Sequence, residues 1–569
     1  MIRRFKSFKS FQYSGQTQSK KMSITKYFSE EKIWRGPEKP AWLFNEKANL
    51  GRILLSILNR DPQKVAQISD NNGIRMTNGE MVSYAEKIAG GLKQRGCKVG
   101  DVVGFVAANG HMLAPTLIAC FLLEASTNAM DVNQNEDEIY NIFKITEPKF
   151  IFCDAQKINL MEKVAGRLQD SPTIIIYGEN KVKAYISIED LIREGDDEVL
   201  RRNILLEACR PLQMDYNIIC CSSGTTGPQK AVCISYQSIV DEYWYQNVVR
   251  SSEGSFFTFS SVFWTVGYLV LLRSIFYGLT RIITTQDFNP ELFLNIITKY
   301  RVTNTLINPL LLCQVLESPK LSPDTFSSLK KIFCCGNIIT EDLVEKLKPF
   351  LMSKTKFMII YGSTEAGAIT TYNYNLKGTI SVGNLLPGIE GIVIDEEGRR
   401  LGPGMVGELC FTTPYRFSGY LKNPEATNAY TTNDGFMRSG DLGFYDEDGL
   451  LYVNGRCKDV MKYILAHVSG SEIERVVKKH PSVSDVVAVG IPDEKYSHLP
   501  AVLVVLKNRS SVTAEEISDL VAEKLPDSHK LRGGVYFVDK IPVTSTGKVK
   551  KVEAEKYAER MFRSLNLKD

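Results

Sequence analysis

Residues 217–232 read Asn-Ile-Ile-Cys-Cys-Ser-Ser-Gly-Thr-Thr-Gly-Pro-Gln-Lys-Ala-Val. An apolar run feeds a loop of hydroxyls and glycines that ends in a lysine. Gly224 and Gly227 let the backbone turn its N–H groups toward oxyanions. Ser222, Ser223, Thr225 and Thr226 add hydroxyl donors, and Lys230 adds a point charge. A strand delivering such a loop suits a polyphosphate, which points to nucleotide chemistry. Clusters of Gly, Ser and Thr are also ordinary turns. The spacing is not that of a G-x-x-x-x-G-K-[ST] phosphate loop, so other segments must decide.

Three further segments carry candidate chemistry. Residues 357–365, Phe-Met-Ile-Ile-Tyr-Gly-Ser-Thr-Glu, again run an apolar strand into a small polar turn. Tyr361 can lie on a purine, Gly362 allows close backbone approach, Thr364 can reach a phosphate and Glu365 can hold Mg²⁺. Ser439-Gly-Asp441, set between two turn-like segments, offers a carboxylate whose two oxygens suit ribose hydroxyls, with Arg456 fifteen residues on. Residues 542–548, Pro-Val-Thr-Ser-Thr-Gly-Lys, place Lys548 on a hydroxyl-rich loop. Taken one at a time, each is as well read as a solvated turn or a surface lysine.

The elements that must position these residues follow from hydrophobic periodicity. From about Ala48 to Phe350, amphipathic helical patterns alternate with short apolar strands, which predicts α/β layers with mainly parallel strands. A helix is expected over Tyr84–Arg95 with Gly96 as its left-handed cap, a strand from Gly104, an apolar helix over Leu117–Ala125 and a strand at Phe150. After about Ile380 the texture turns Gly-, Pro- and acid-rich with short alternating strands, as at Gly407-Glu-Leu-Cys-Phe-Thr. From Lys458 onward an α+β tail is long enough for its own small domain, with Gly455-Arg-Cys-Lys-Asp as the expected linker.

At 569 residues the chain exceeds one core. Residues 1–29 carry seven Lys/Arg and no acid, so the remaining 62 basic and 65 acidic residues leave a net charge of −3. That balance excludes a nucleic-acid surface. The twelve cysteines show no zinc spacing, and those ending apolar runs read as buried thiols of a reducing compartment. Five histidines and no Gly-x-Ser-x-Gly elbow argue against a His-dependent hydrolase. No apolar run reaches spanning length, since Val266–Leu279 is interrupted by Arg273. The basic N-terminus resembles a mitochondrial transit peptide; a basic tail, or a start at Met22, fits equally. Mitochondrial and cytosolic locations both stay open, and the chain lacks a terminal Ser-Lys-Leu. Oligomeric state is not legible.

Taken in order, Ser-Ser-Gly-Thr-Thr-Gly…Lys, Tyr-Gly-Ser-Thr-Glu, Ser-Gly-Asp, Gly-Arg-Cys-Lys-Asp and Thr-Gly-Lys resemble the adenylate-forming superfamily of acyl-CoA synthetases, 4-coumarate–CoA ligases and beetle luciferases. The segments 418–429 and 531–539 look most similar to the insect luciferase-like acyl-CoA ligases. The resemblance implies a large N-terminal domain (30–457) of layered α/β subdomains, with a β-rich subdomain at about 380–457. A small mobile α+β C-terminal domain (458–569) follows, and residues 1–29 form a tail. It implies a fatty or aryl carboxylic acid joined to AMP from Mg-ATP, then passed to CoA.

The same resemblance assigns Ser222 to Lys230 to the β- and γ-phosphates, Thr364 to the α-phosphate and Glu365 to Mg²⁺. Tyr361 and Gly362 border adenine, with Gly336 and Asn337 on its other side. Asp441 and Arg456 take the ribose. Lys548 supplies the catalytic cation and Lys458 the hinge. Trp264 and Gly267 line the acyl pocket, with Trp264 where many members carry a histidine, which favours an apolar acid. Lys462 and Leu465 border the thiol tunnel. Leu465 replaces a usual glycine and Gly470 a usual proline, which questions the thioester step. A luciferase-type monooxygenase and a ligase-derived acyl-adenylate or fatty-acid binding protein are the competing functions.

Overall fold

The computed structural model describes residues 25–38, 48–178, 185–222, 229–235, 254–374, 380–413, 417–464, 466–493, 495–507, 512–543 and 549–566. The described residues form four sheets. Two are large and mostly parallel, as the alternating pattern predicts. One has eight strands, in which Tyr216–Cys221 runs parallel to Ser126–Ala129 and Val102–Val106, while Ala231–Ser235 and Phe417–Tyr420 close its edge antiparallel. The other has nine strands. Six of them are parallel in the order Lys356–Ser363, Lys331–Cys334, Asn304–Ile307, Ser255–Phe257, Thr280–Ile283, Val65–Ser69.

Helices Leu50–Leu58, Asn78–Gln94, Leu113–Leu122 and Thr265–Tyr277 share one core with residues of both sheets. Every residue of Leu113–Leu122 is buried, as a helix apolar on all sides must be. The Asn78–Gln94 helix starts six residues earlier than its apolar pattern predicts. Thr77 and Glu80 close a reciprocal capping box there, satisfying first-turn N–H groups. The Arg273 run folds as Thr265–Tyr277, and no described helix is long and apolar enough to cross a membrane.

The β-rich region is a six-stranded antiparallel sheet, and the sequence-based boundaries need two corrections. Lys26–Phe28 and Ile33–Arg35 complete this sheet from the far end of the chain, so the basic tail cannot extend to residue 29. Trp34 is the reason: it is fully buried and stacks on Tyr445 at 4.4 Å. Ser439-Gly-Asp is not a turn but the middle of the Met437–Tyr445 strand. The expected linker is likewise mostly ordered. Gly455 and Arg456 end the Leu451–Arg456 strand, and only a three-residue 3₁₀ turn, Cys457–Asp459, separates it from the strand Val460–Tyr463.

That last strand opens a five-stranded sheet covered by helices Gly470–Val477, Ala514–Lys524 and Lys551–Asn566. Its core draws only on residues from Met461 onward. The fold is thus a large N-terminal domain of several sheets with a small α+β C-terminal domain.

Candidate functional site

Three sheets meet at the candidate site, and each supplies one of its polar groups. In the eight-stranded sheet, Tyr216–Cys221 delivers Ser222 and the antiparallel return strand begins at Ala231, leaving Lys230 opposite Ser222. The neck between them is closed twice: Ser222 N–H donates to Lys230 O at 2.8 Å, and Lys230 N–H donates to Ser222 Oγ at 2.9 Å. The Ser222 hydroxyl keeps its own proton to donate. Ser223, Gly224, Thr225, Thr226 and Gly227 lie outside the described residues.

In the nine-stranded sheet, Lys356–Ser363 and Gly367–Tyr374 form a hairpin whose tip carries Thr364 and Glu365. Gly362 is required here by space rather than by backbone angle. A Cβ on it would stand 2.1 Å from the backbone oxygen of Gly367 across the hairpin. The Ser363 hydroxyl accepts from Ala366 N–H at 3.0 Å and tightens the tip. On neighbouring strand ends of the same sheet, Gly336 adopts φ +96°, a conformation that favours glycine. Beside it, Asn308 Nδ2 donates to Asn337 Oδ1 at 2.7 Å.

Lys230 and Glu365 are joined through a residue the sequence reading left without a role. Tyr420 pairs with Val232 on the edge strand, its ring lies 4.9 Å beneath Lys230 Nζ, and its hydroxyl donates to Glu365 Oε1 at 2.8 Å. Burial, then the Glu365 charge, raise the Tyr420 pKa, so the phenol stays protonated and a donor. Tyr430 and Phe417 pack edge-on against it, and Thr427 Oγ1 accepts from its backbone N–H at 2.9 Å. The only sequence signal for Tyr420 was the 418–429 segment, noted as a resemblance.

The six-stranded sheet contributes the second cluster. Asp441 and Arg456 are direct cross-strand partners, with Arg456 Nε 2.9 Å from Asp441 Oδ1. Tyr361, from the nine-stranded sheet, donates its hydroxyl to Asp441 Oδ2 at 2.7 Å. Burial and then the Asp441 charge push the Tyr361 pKa well up, which keeps it a donor. Its ring meets Phe411 edge-on at 6.0 Å. The geometry is a carboxylate oriented by donors from two sheets, Arg456 across the strand pair and Tyr361 from the neighbouring sheet.

The AMP-binding enzyme family matches residues 56–421, and the AMP-binding enzyme C-terminal domain family matches residues 472–548. The chain belongs to the AMP-binding enzymes. It is thus a member of the adenylate-forming superfamily that the motif order resembles. A probable 4-coumarate–CoA ligase 3 of Dictyostelium discoideum is 27% identical over 527 residues, covering 90% of this chain and 94% of that one. A luciferin 4-monooxygenase of Photinus pyralis is 28% identical over 506 residues, covering 86% and 90%. The fold matches ATP-bound MatB from Rhodopseudomonas palustris with a TM-score of 0.79 at 21% identity, covering 91% of this chain and all of that one.

The remaining expected residues of this AMP-binding enzyme fall in several places. Trp264 is the N-cap of the Thr265–Tyr277 helix, partly buried and edge-on to Phe263 at 4.9 Å. Gly267 has a packing reason of its own, because a Cβ there would lie 2.1 Å from Ser261 O. Lys458 sits in the Cys457–Asp459 turn between the last two sheets. Lys462 belongs to the Val460–Tyr463 strand, while Leu465 and Lys548 lie outside the described residues. Next to Leu465, exposed Ile464 adopts φ +58°, a strained setting for a β-branched residue. Gly470 begins its helix, and Glu472 pairs with buried His529 at 3.0 Å.

Proposed function

We propose that this AMP-binding enzyme is an ATP-dependent acid–CoA ligase for a fatty or aryl carboxylic acid. The observation that carries the reading is the junction of three sheets, which gathers Lys230, Glu365 and the Tyr361–Asp441–Arg456 cluster from segments remote in sequence. In this reading the substrate carboxylate attacks the α-phosphorus of ATP. The bond to the bridging oxygen breaks, and pyrophosphate leaves with the electron pair. CoA thiolate then attacks the acyl carbon and expels AMP. The substrate brings its own nucleophile, so the protein works by positioning and by neutralising charge.

Each role then falls to a named residue. Lys230 and the loop from Ser222 hold the departing phosphates. Thr364 reaches the α-phosphate. Asp441 receives the ribose hydroxyls while Arg456 and Tyr361 fix its plane. Tyr361, Gly336 and Asn337 border the base. Trp264 walls an apolar acyl pocket, and Lys458 is the pivot on which the small domain turns between half-reactions.

Among the described residues no group of three His, Cys, Asp or Glu could hold a metal ion. Glu365 alone still fits Mg²⁺, which takes one or two carboxylates and fills its octahedron with phosphate oxygens and water. The ion would neutralise phosphate charge there. Tyr420 orients that carboxylate. A charge-assisted hydrogen bond of this kind contributes about 1.5–3 kcal/mol. Tyr420→Phe is therefore expected to raise the half-saturating Mg²⁺ concentration for AMP release about tenfold. An unchanged Mg²⁺ titration would remove Tyr420 from this role.

A panel of carboxylic acids with Mg-ATP, assayed for AMP release with and without CoA, tests the function. Turnover stimulated by CoA supports the ligase. A single stalled turnover of acyl-AMP would assign the chain an adenylation-only role, with Leu465 as the first residue to restore to glycine. Oxygen-dependent light with a luciferin would favour the monooxygenase reading, which the Photinus pyralis relative brings into range.

A further inference from the structure

A second polar site lies at the opposite edge of the nine-stranded sheet from the nucleotide groups. The parallel strands present Asn308, Gly336 and Tyr361 at or beyond their C-terminal ends. Arg281 instead sits near the N-terminal end of Thr280–Ile283. In register beside it on Val65–Ser69 is Gln67, so both side chains leave the same face of the sheet. That face is covered by the end of the Thr265–Tyr277 helix, away from Trp264. Between sheet and helices is a cavity of about 200 Å³ that includes Arg281, Gln67, Leu271, Ser274, Met81 and Lys64 in its walls.

Arg281 is the unusual feature. It is 5% exposed, and among the described residues no carboxylate lies within ion-pair distance of it. Its one side-chain hydrogen bond there is from Nη1 to the neutral Gln67 Oε1 at 3.2 Å, out of five N–H donors. Gln67 is in turn held by donating to His111 O at 3.1 Å. Burial alone draws the guanidinium pKa down to about 10, so it remains a cation at neutral pH. An isolated buried charge is costly unless something pairs with it. At the mouth, half-buried Lys64 approaches within 3.3 Å of the Cβ position on Gly278, while Arg60 and Asp61 are exposed on the rim. The balance of the lining charges is positive, and the walls between them are mostly apolar.

We propose that this cavity binds a small organic carboxylate, its anionic head on Arg281 and its hydrocarbon body along Leu271 and Met81. At about 30 Å³ per water, the volume admits a ligand of about seven non-hydrogen atoms. That size suits a butyrate or valerate and excludes a nucleotide or a long acyl chain. The apolar walls favour such a molecule over inorganic phosphate. The site is separate from the acyl pocket of the proposed reaction, so the two can be tested independently.

The experiment uses the full chain without ATP and short carboxylates first shown to release no AMP. Thermal unfolding is followed against butyrate, valerate, valeramide and inorganic phosphate. Binding to the native state should raise Tm with carboxylate concentration, by about 2–4 °C near saturation. Valeramide and phosphate should give little shift. Arg281→Met keeps the side-chain volume, removes an unpaired buried charge and should retain AMP release with a substrate acid while losing the carboxylate-dependent rise. An equal rise in Arg281→Met, an equal rise with valeramide or phosphate, or none in the unaltered protein overturns the proposal. Should Arg281→Met fail to fold, crystals of the unaltered protein grown with valerate decide it. A carboxylate on the Arg281 guanidinium supports the site, and its absence there refutes it.

Discussion

Lys548→Ala is expected to lower acyl-adenylate formation by ~10²–10³-fold or more while ATP still binds. The proposed reaction gathers negative charge on the α-phosphate and on the attacking carboxylate as they approach. A preorganised cation at that point acts only as charge develops, so its loss falls on the rate and not on nucleotide affinity. The described residues on either side of Lys548 are held together. Val543 and Val549 form an antiparallel bridge on either side of residues 544–548, and Lys550 N–H donates to Pro542 O at 2.8 Å. The helix that follows begins with Lys551, paired with Asp459 of the Cys457–Asp459 turn at 3.0 Å. The described residues on both sides of Lys548 are therefore tied together and, through Lys551, to the turn that holds the proposed pivot Lys458. Rapid-quench measurement of acyl-AMP from a substrate acid checks the expectation. A rate of acyl-AMP formation equal to that of the unaltered protein would remove Lys548 from the chemistry.

Gly362→Ala should be nearly as damaging although it adds one methyl group and no charge. The new Cβ would stand 2.1 Å from the Gly367 backbone oxygen and 3.0 Å from Ala368 Cα. Neither can move as a flexible side chain would, so the hairpin has to open. Its tip carries Thr364 and Glu365, and Tyr361, next to Gly362, donates to Asp441. A displacement of about 1 Å at such groups costs on the order of 10²-fold in rate. The expected result is a loss of that size in AMP release with a smaller change in Tm, because the bulk of the sheet is untouched. Measuring both in one preparation separates a displaced site from an unfolded one. Full activity in Gly362→Ala would show that the hairpin tip does not position the reacting groups.

Strands were legible where their own residues specified them. The runs at Phe150 and Ile218 are continuous and apolar because both faces are covered, and they fold as Phe150–Asp154 and Tyr216–Cys221. Helix ends were less legible, because the capping box at Thr77 and Glu80 lies outside the apolar stripe that marks the helix. The strand around Asp441 was not legible, so a solvated turn stayed open beside the ribose role. The structure gives Gly440 φ +69°, a conformation that favours glycine, where residues 439–441 of the strand bulge opposite the single residue Leu409.

The residue types at the nucleotide edge were set by sequence alone. Hydroxyls, glycines, one lysine and two carboxylates follow apolar strands in a fixed order, and each type has a chemistry that does not depend on distant contacts. Tertiary structure decided which of them act together. Tyr420 links Lys230 to Glu365, and Asp441 meets Arg456 by strand register and Tyr361 only because the six- and nine-stranded sheets converge. It also decided that Arg281 is buried with a neutral partner in place of an acid. The reason is that strand register and sheet-to-sheet packing join segments far apart along the chain, so those pairings leave no local periodicity to read.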